Sequence, residues 1–399
     1  MRLRHRDGTV VHVAYCTNVH PTEDVDALLE QVRRYGGGVR ARLGTPRLGL
    51  GLWLPAPVVA RLAGEAGRPE LERLRTALDA SGLEVVTLNA FPYAGFHDPR
   101  VKLAVYHPDW TDASRLRYTL ECATVLAGLL PDDAERGSVS SLPLAWRTPW
   151  DDQRRRTARD HLDRLADGLA VLEDRTGRVV RVGLEPEPGC VVETIDGAVA
   201  ELAGVDTERI GVCLDACHLA VQFEEPADAV RRLAAAGLAV VKTQASAALE
   251  IADPGSDAAR SALGAYAEDR FLHQTRVASP AASGTVDGTD DLPAALDGEL
   301  PTDGPWRVHY HVPVHERPDP PLAVTQDHLG ATLDALFGGE HAVTDHVEVE
   351  TYTWSVLPAG RRPAGPDGLA DGLAAELRWV ADRLAETGLD ARTTQEEMA

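Results

Sequence analysis

The sequence predicts an α/β protein, a closed (β/α)₈ barrel, in one domain over residues 1–399. Two observations predict it. Short apolar, β-branched runs alternate from end to end with amphipathic stretches of roughly 10–20 residues, as in βαβ units and parallel sheets. These units follow one another with no composition break, which favours a closed barrel over an open sheet.

The candidate strands are Val11–Cys16, Leu48–Trp53, Glu84–Asn89, Ser138–Leu142, Val179–Leu184, Ile210–Leu214, Val240–Thr243, Arg307–Val312 and His346–Glu350. That is one more than the barrel needs, so either one is peripheral or an insertion carries its own. The insertion is placed at about 252–305, where Ala281-Ala282-Ser283-Gly284-Thr285-Val286-Asp287-Gly288 reads as a mobile loop. Such a loop is either a lid over the active site or plain surface.

The first helix runs from Thr22 to about Tyr35, with Gly36-Gly37-Gly38 as its stop. The next covers roughly Thr111–Leu130, capped by Thr111-Asp112-Ala113-Ser114. Asp151–Thr176 is long and lines up Leu162, Leu165, Leu169 and Leu172 on one face. Others run over about Ala227–Ala236, Thr325–Phe337 and Gly368–Thr387.

Composition narrows the function. With 44% hydrophobic and 26% charged residues the chain is globular. A formal charge of −22 repels phosphate backbones and anionic surfaces, which argues against nucleic acid and suits a site that gathers metal cations. No apolar run reaches the roughly 18 residues that a membrane helix needs. Met1-Arg2-Leu3-Arg4-His5-Arg6-Asp7 has no apolar core behind it, so no secretory signal is expected. Five cysteines, an odd number in a long chain, suit reduced thiols in a cytoplasm.

In such a barrel the chemistry gathers where strands end. Four strand ends carry polar groups that a core would not tolerate. Glu185 ends the run Val182-Gly183-Leu184, and Asp215 ends Val212-Cys213-Leu214, with His218 three residues on. Gln244 follows Val240-Val241-Lys242-Thr243, and in Val347-Glu348-Val349-Glu350 the two glutamates share one face with Glu350 nearer the rim. Three carboxylates and an amide oxygen at one mouth form an oxygen-rich cage for a hard divalent cation, Mg²⁺ or Mn²⁺ before Zn²⁺. Without a cation the carboxylates would repel and could not all stay ionised. The plain alternative for any one acid is a helix cap or an arginine partner.

This order of Leu-Glu-Pro, Asp-x-x-His, a strand-end Gln and a terminal strand Glu resembles the xylose-isomerase-like barrels, which include hydroxypyruvate isomerase, ketose 3-epimerases and endonuclease IV. A closer likeness rests on Tyr15-Cys16-Thr17-Asn18-Val19-His20-Pro21, Asn89-Ala90-Phe91-Pro92-Tyr93, Val101-Lys102 with Val105-Tyr106 and Pro108-Asp109-Trp110, His309-Tyr310-His311-Val312-Pro313-Val314 and Glu350-Thr351-Tyr352-Thr353-Trp354. These are similar to EboE, the metabolite traffic family of a secondary-metabolite biosynthesis and export cluster. The superfamily likeness implies that Glu185, Asp215, Gln244 and Glu350 are metal ligands and that His218 touches a substrate oxygen. It also implies that Glu185 and Glu350 are proton-transfer bases working through an enediolate. By analogy it implies a homo-oligomer. The chain lacks the histidine pattern of the trinuclear zinc site in endonuclease IV.

Further candidates surround this set. Glu187 competes with Glu185, which is favoured because it directly ends the strand. His309 and His311, on one face at period two, and His20, after the first strand, are candidate substrate contacts beside core histidine readings. The first two are also candidates for a second metal. Lys102 and Arg147 are candidate partners of a substrate phosphate or carboxylate, and the strand-end aromatics Trp53, Trp146, Tyr352 and Trp354 either stack on a sugar or cyclitol ring or fill the barrel mouth. Cys213 and Cys217 read as packing thiols. No nucleotide-binding glycine motif and no serine nucleophile elbow occur. The expected function is a divalent-metal-dependent isomerase or epimerase of a sugar, sugar phosphate or cyclitol. The alternatives are a polyol-binding handover protein and a metal-assisted hydrolase.

Overall fold

A computed structural model describes residues 1–22, 24–278 and 286–390. Its strands are β1 (Arg2–Arg4), β2 (Val10–Cys16), β3 (Leu48–Trp53), β4 (Leu83–Asn89), β5 (Gly137–Ser141), β6 (Val180–Leu184), β7 (Ile210–Asp215), β8 (Val240–Ala245), β9 (Leu249–Ile251), β10 (Thr275–Ala278), β11 (Val286–Thr289), β12 (Trp306–Val308), β13 (Leu322–Val324) and β14 (His346–Val349). Strands β2 to β8 pair in sequence, β14 pairs with β8, and β14 and β3 both flank β2, so eight parallel strands close into a barrel. β1 adds to β2 antiparallel at the edge. Helices join the parallel strands, as parallel pairing requires. No helix among the described residues is long and apolar enough to cross a membrane.

The ninth candidate strand, Arg307–Val312, is not a barrel stave. Its first residues form β12 in a second, antiparallel sheet of order β11-β10-β12-β9-β13, which lies between β8 and β14 in the chain. The stretch expected as a loop over about 252–305 thus contributes to a folded sheet. Of the expected mobile loop at 281–288, residues 281–285 lie outside the described residues and 286–288 belong to strand β11.

Gly36-Gly37-Gly38 is no helix stop either. The first helix runs from Val25–Gln31 through a wider turn at Val32–Gly36 into Gly37–Leu43, and ends at Gly44 with φ +66°. A Cβ on Gly36 would lie 2.6 Å from Leu83 Cδ1, so close packing against the barrel explains that glycine. The predicted cap of the helix Ala113–Leu129 is present, with Asp112 accepting from the Ser114 amide.

Side-chain alternation fills the barrel with polar layers rather than oil. At the N-terminal end Glu84 accepts from Arg2 and lies 3.1 Å from His12 Nδ1. Above it Ser138 bridges Thr87 and His346. Higher still, the fully buried Lys242 and Glu348 form an ion pair across β8 and β14. Glu350 is one interior step further along the same strand face, at the C-terminal mouth.

Candidate functional site

The strand ends of β6, β7, β8 and β14 build the mouth. Glu185, Asp215 and Glu350 offer carboxylate oxygens that all lie within 4.8 Å of one another, and all three residues are buried. Gln244 stands opposite Asp215 on one side and Glu348 on the other, and shares a strand face with Lys242. Glu185 Oε2, Asp215 Oδ2 and both polar atoms of Gln244 are buried without a hydrogen-bond partner among the described residues. Leaving such atoms unpaired costs about 1–3 kcal/mol each, and more for charged groups. Three clustered carboxylates, two of them with an orphaned oxygen, are the donor set that a hard divalent cation satisfies, so the residues present fit a metal.

Electrostatics agree with the geometry. Burial, then the Glu350 and Asp215 charges, pushes the Glu185 carboxyl well above the ordinary carboxylate range. Burial, then Asp215 and Glu348, does the same to Glu350. Lys242 opposes both shifts from below. Glu350 Oε1 is oriented by the Asn18 amide at 2.7 Å and the Asn89 amide at 2.8 Å.

Beside this floor the inserted segment delivers a second group. His309 and His311 follow β12 and turn toward His218, with Nε2–Nε2 separations of 3.1 Å to His218 and 3.3 Å between the two. Burial lowers the His218 pKa to about 4 and lowers His309 and His311 as well, so the rings are neutral near pH 7. Glu187 is not interchangeable with Glu185. It accepts from the Tyr106 hydroxyl at 2.7 Å and lies 3.3 Å from Gln274 Nε2, and burial raises its carboxyl to about 8.

These groups face a cavity of about 60 Å³, room for only a few waters. Glu185, Glu187, His218, His309, His311 and Glu350 line its polar side; Phe91, Phe96, Val101, Val105, Phe271 and Leu272 line the other.

Two expected substrate contacts, His20 and Trp354, do not line this cavity, and a third, Lys102, lines it with its ammonium already paired. His20 is buried beneath the first loop, stacked on Tyr35 at 4.1 Å and 3.3 Å from the Tyr15 hydroxyl, and does not line the cavity. Trp354 donates from Nε1 to Glu376 and packs beside His315 against the C-terminal helix. Tyr352, two residues earlier, supplies the aromatic face instead. Lys102 reaches the cavity wall, but its ammonium is spent on Asp291 (2.6 Å), the Phe271 carbonyl (2.7 Å) and the Glu268 carbonyl (3.2 Å). It ties the inserted segment to the rim, from a backbone held at φ +40°. Arg147 is likewise paired with Asp290.

Asn18, Asn89, Tyr106 and Gln274 are site neighbours that the strand-end reading did not single out, whereas Tyr352 is among its aromatic candidates. Asn89 had a signal, since it ends an apolar strand as Glu185 does; Gln274 had none.

The model of the family described as xylose isomerase-like TIM barrel matches residues 55–273. The comparison with curated proteins gives no match. Among solved structures, the D-allulose 3-epimerase from Methylomonas sp. is similar at 12% identity and TM-score 0.50, over 96% of this chain and 100% of that one. A xylose isomerase-like TIM barrel protein from Mycobacterium smegmatis, in complex with magnesium, is similar at 12% identity and TM-score 0.47, over 94% of this chain and 98% of that one. At such identities the likeness is one of fold.

Proposed function

Since the chain belongs to the xylose isomerase-like TIM barrel family, we propose that it is a divalent-metal-dependent isomerase or epimerase of a sugar or cyclitol. The observation that supports this most is the buried Glu185–Asp215–Glu350 cluster, with unpaired oxygens on Glu185, Asp215 and Gln244. Glu185, Asp215, Gln244 and Glu350 would hold the ion, which supplies polarisation of a substrate carbonyl and offsets the crowded negative charge.

The chain's own residues then account for the proton. Glu185 and Glu350 both face the cavity, whereas Asp215 and Gln244 lie behind them. One carboxylate takes the proton from the carbon beside the carbonyl, giving an enediolate, and the other carboxyl returns a proton to that carbon or its neighbour. Asn18 and Asn89 fix the Glu350 carboxylate, so the transfer requires no rotation of that side chain. The apolar wall keeps water from the intermediate.

The finer placement, in the metabolite traffic family, has support of its own. Asn18, Asn89, Phe91, Lys102, Tyr106, His311 and Tyr352 come from five separate motifs of that likeness, and all line this cavity. A wall so assembled also suits a protein that holds a polyol without converting it.

The test is incubation of the Mn²⁺-loaded protein with a panel of ketoses and inososes in D₂O. Carbon-bound deuterium in a panel member, lost in Glu350→Gln, is the expected result. A ketose that binds yet acquires no deuterium would refute the isomerase reading and leave the binding one.

A further inference from the structure

We propose that the cavity takes an uncharged polyol, hydroxylated on one face and apolar on the other, and excludes the phosphate ester of the same polyol, with Gln274 as the positioning residue that sets the polar face. This narrows the substrate class of the isomerase reading above and rests on that reading's cavity being the substrate site.

The imidazoles of the polar face are acceptors. His218 Nδ1 lies 2.9 Å from the Pro186 carbonyl, and His311 Nδ1 lies 2.8 Å from the Glu350 carbonyl. A carbonyl only accepts, so both Nδ1 atoms carry the hydrogen and both Nε2 atoms present a lone pair. For His309 the outer partner is Gln274 Oε1, 2.8 Å from Nδ1. A side-chain amide fits either way round until a neighbour decides, and here the Pro188 carbonyl, 2.9 Å from Gln274 Nε2, admits only the NH₂ end. The other hydrogen of that NH₂ faces the Tyr106 hydroxyl at 2.8 Å. Gln274 thereby gives His309 the same tautomer as the other two rings.

These nitrogens lack a donor. His309 Nε2 is 3.1 Å from His218 Nε2 and 3.3 Å from His311 Nε2, and neither contact contains a hydrogen to share. His218 and His309 are only 5% and 4% exposed. Asn18, which also lines the cavity, has its Oδ1 buried without a partner among the described residues. Its orientation is fixed, since its amide nitrogen donates to Glu350. Hydroxyl hydrogens of a ligand are what this face is missing.

A cation for an anionic ligand is missing too. Among the described residues that line the cavity, Lys102 is the one lysine or arginine. An ammonium has three hydrogens, and those of Lys102 face Asp291, the Phe271 carbonyl and the Glu268 carbonyl. The Tyr106 hydroxyl donates to Glu187, and the Asn89 amide to Glu350. The carboxyl groups of Glu185, Glu187 and Glu350 carry negative charge or none. A phosphate placed here loses its water and gains no cationic side chain, whereas a hydroxyl finds an acceptor. Across the cavity, Phe96 and Phe271 stand 5.1 Å apart and Tyr352 is 4.9 Å from Phe271. The C–H face of a ring polyol covers those rings and leaves no polar group unpaired.

Titration calorimetry of the Mn²⁺-loaded full-length protein compares myo-inositol with myo-inositol 1-phosphate and D-fructose with D-fructose 6-phosphate. The uncharged member of a pair should bind at least about 100-fold more tightly. An ester that binds as well, or no binding by either uncharged probe, overturns the proposal. Nitrogen NMR of the histidine-labelled wild type should show His218, His309 and His311 protonated on Nδ1 alone; an imidazolium among them overturns it equally. Gln274→Leu should release His309 to the other tautomer and weaken the uncharged probe about ten-fold. An unchanged His309 tautomer would remove Gln274 from the argument, and should the variant not fold, the wild-type measurements decide. Deuterium uptake tells this inference from the isomerase reading. Uptake into a phosphate ester alone defeats the inference and keeps the isomerase, whereas an uncharged probe that binds without uptake does the reverse.

Discussion

The Glu348 carboxylate occupies the place where Gly51 would carry a side chain: a Cβ built on Gly51 falls within the Glu348 head group. The glycine in β3 is therefore a matter of room rather than of backbone freedom. Glu348 uses that room to pair with Lys242 in the fully buried interior.

Gly51→Ala should displace Glu348 and separate it from Lys242. Removing a partner from a buried ion pair costs about 3–5 kcal/mol. Thermal unfolding should show a loss of that order, and an unchanged Tm would mean that Glu348 has another place to go.

Lys242→Met, leaving Glu348 buried and alone, should be destabilising by about the same 3–5 kcal/mol, while Lys242→Met with Glu348→Leu should recover most of it. A denaturant series on the two variants checks this. Equal losses in both would show that the pair holds more than itself together.

Asn89→Ala removes one of two amides from Glu350 Oε1. A hydrogen bond to a charged group contributes about 1.5–3 kcal/mol, so deuterium incorporation should slow at least about ten-fold while ketose affinity changes little. A change in affinity alone would place the residue in substrate binding.

Lys102→Met tests the rim strut. Stability should drop by about 1.5–3 kcal/mol as Asp291 loses its partner. The preference between a ketose and its phosphate ester should not move, because the ammonium is already engaged. A selective loss of the phosphate ester would restore Lys102 as a substrate contact.

Glu376 supplies a pH dependence away from the cavity. Burial raises its carboxyl from the ordinary 4.5 to about 7, against the donors Thr351, Val314 and Trp354. Between those values the unfolded chain has released a proton that the folded one keeps, so stability falls as pH rises, by at most about 1.4 kcal/mol per pH unit. Glu376→Gln should flatten that part of the Tm profile; parallel curves for variant and wild type would contradict it.

All eight barrel strands were legible in the sequence to within one or two residues, because parallel staves buried on both faces read as continuous apolar runs. Arg307–Val312 misled for the same reason: Trp306 and Val308 are core residues of the inserted sheet, and nothing local separates their pattern from a stave. The glycine triad looked like a stop because glycine costs helix stability, and only the pressure of Leu83 on Gly36 shows why it stays helical. An acid directly after an apolar run is conspicuous, so Glu185, Asp215 and Glu350 could be read as strand-end acids. Which way a rim loop turns its side chains depends on distant contacts, such as Tyr35 for His20 and Glu376 for Trp354, and no spacing rule contains those.

The staves provide the acids of the mouth, the loops after β2 and β4 part of its wall, and the segment spliced in after β8 provides Phe271, His309 and His311, with Gln274 behind them. The acids and this part of the wall are thereby separable in the gene: exchanging that one cassette would alter the wall and leave the strand-end acids beneath it in place.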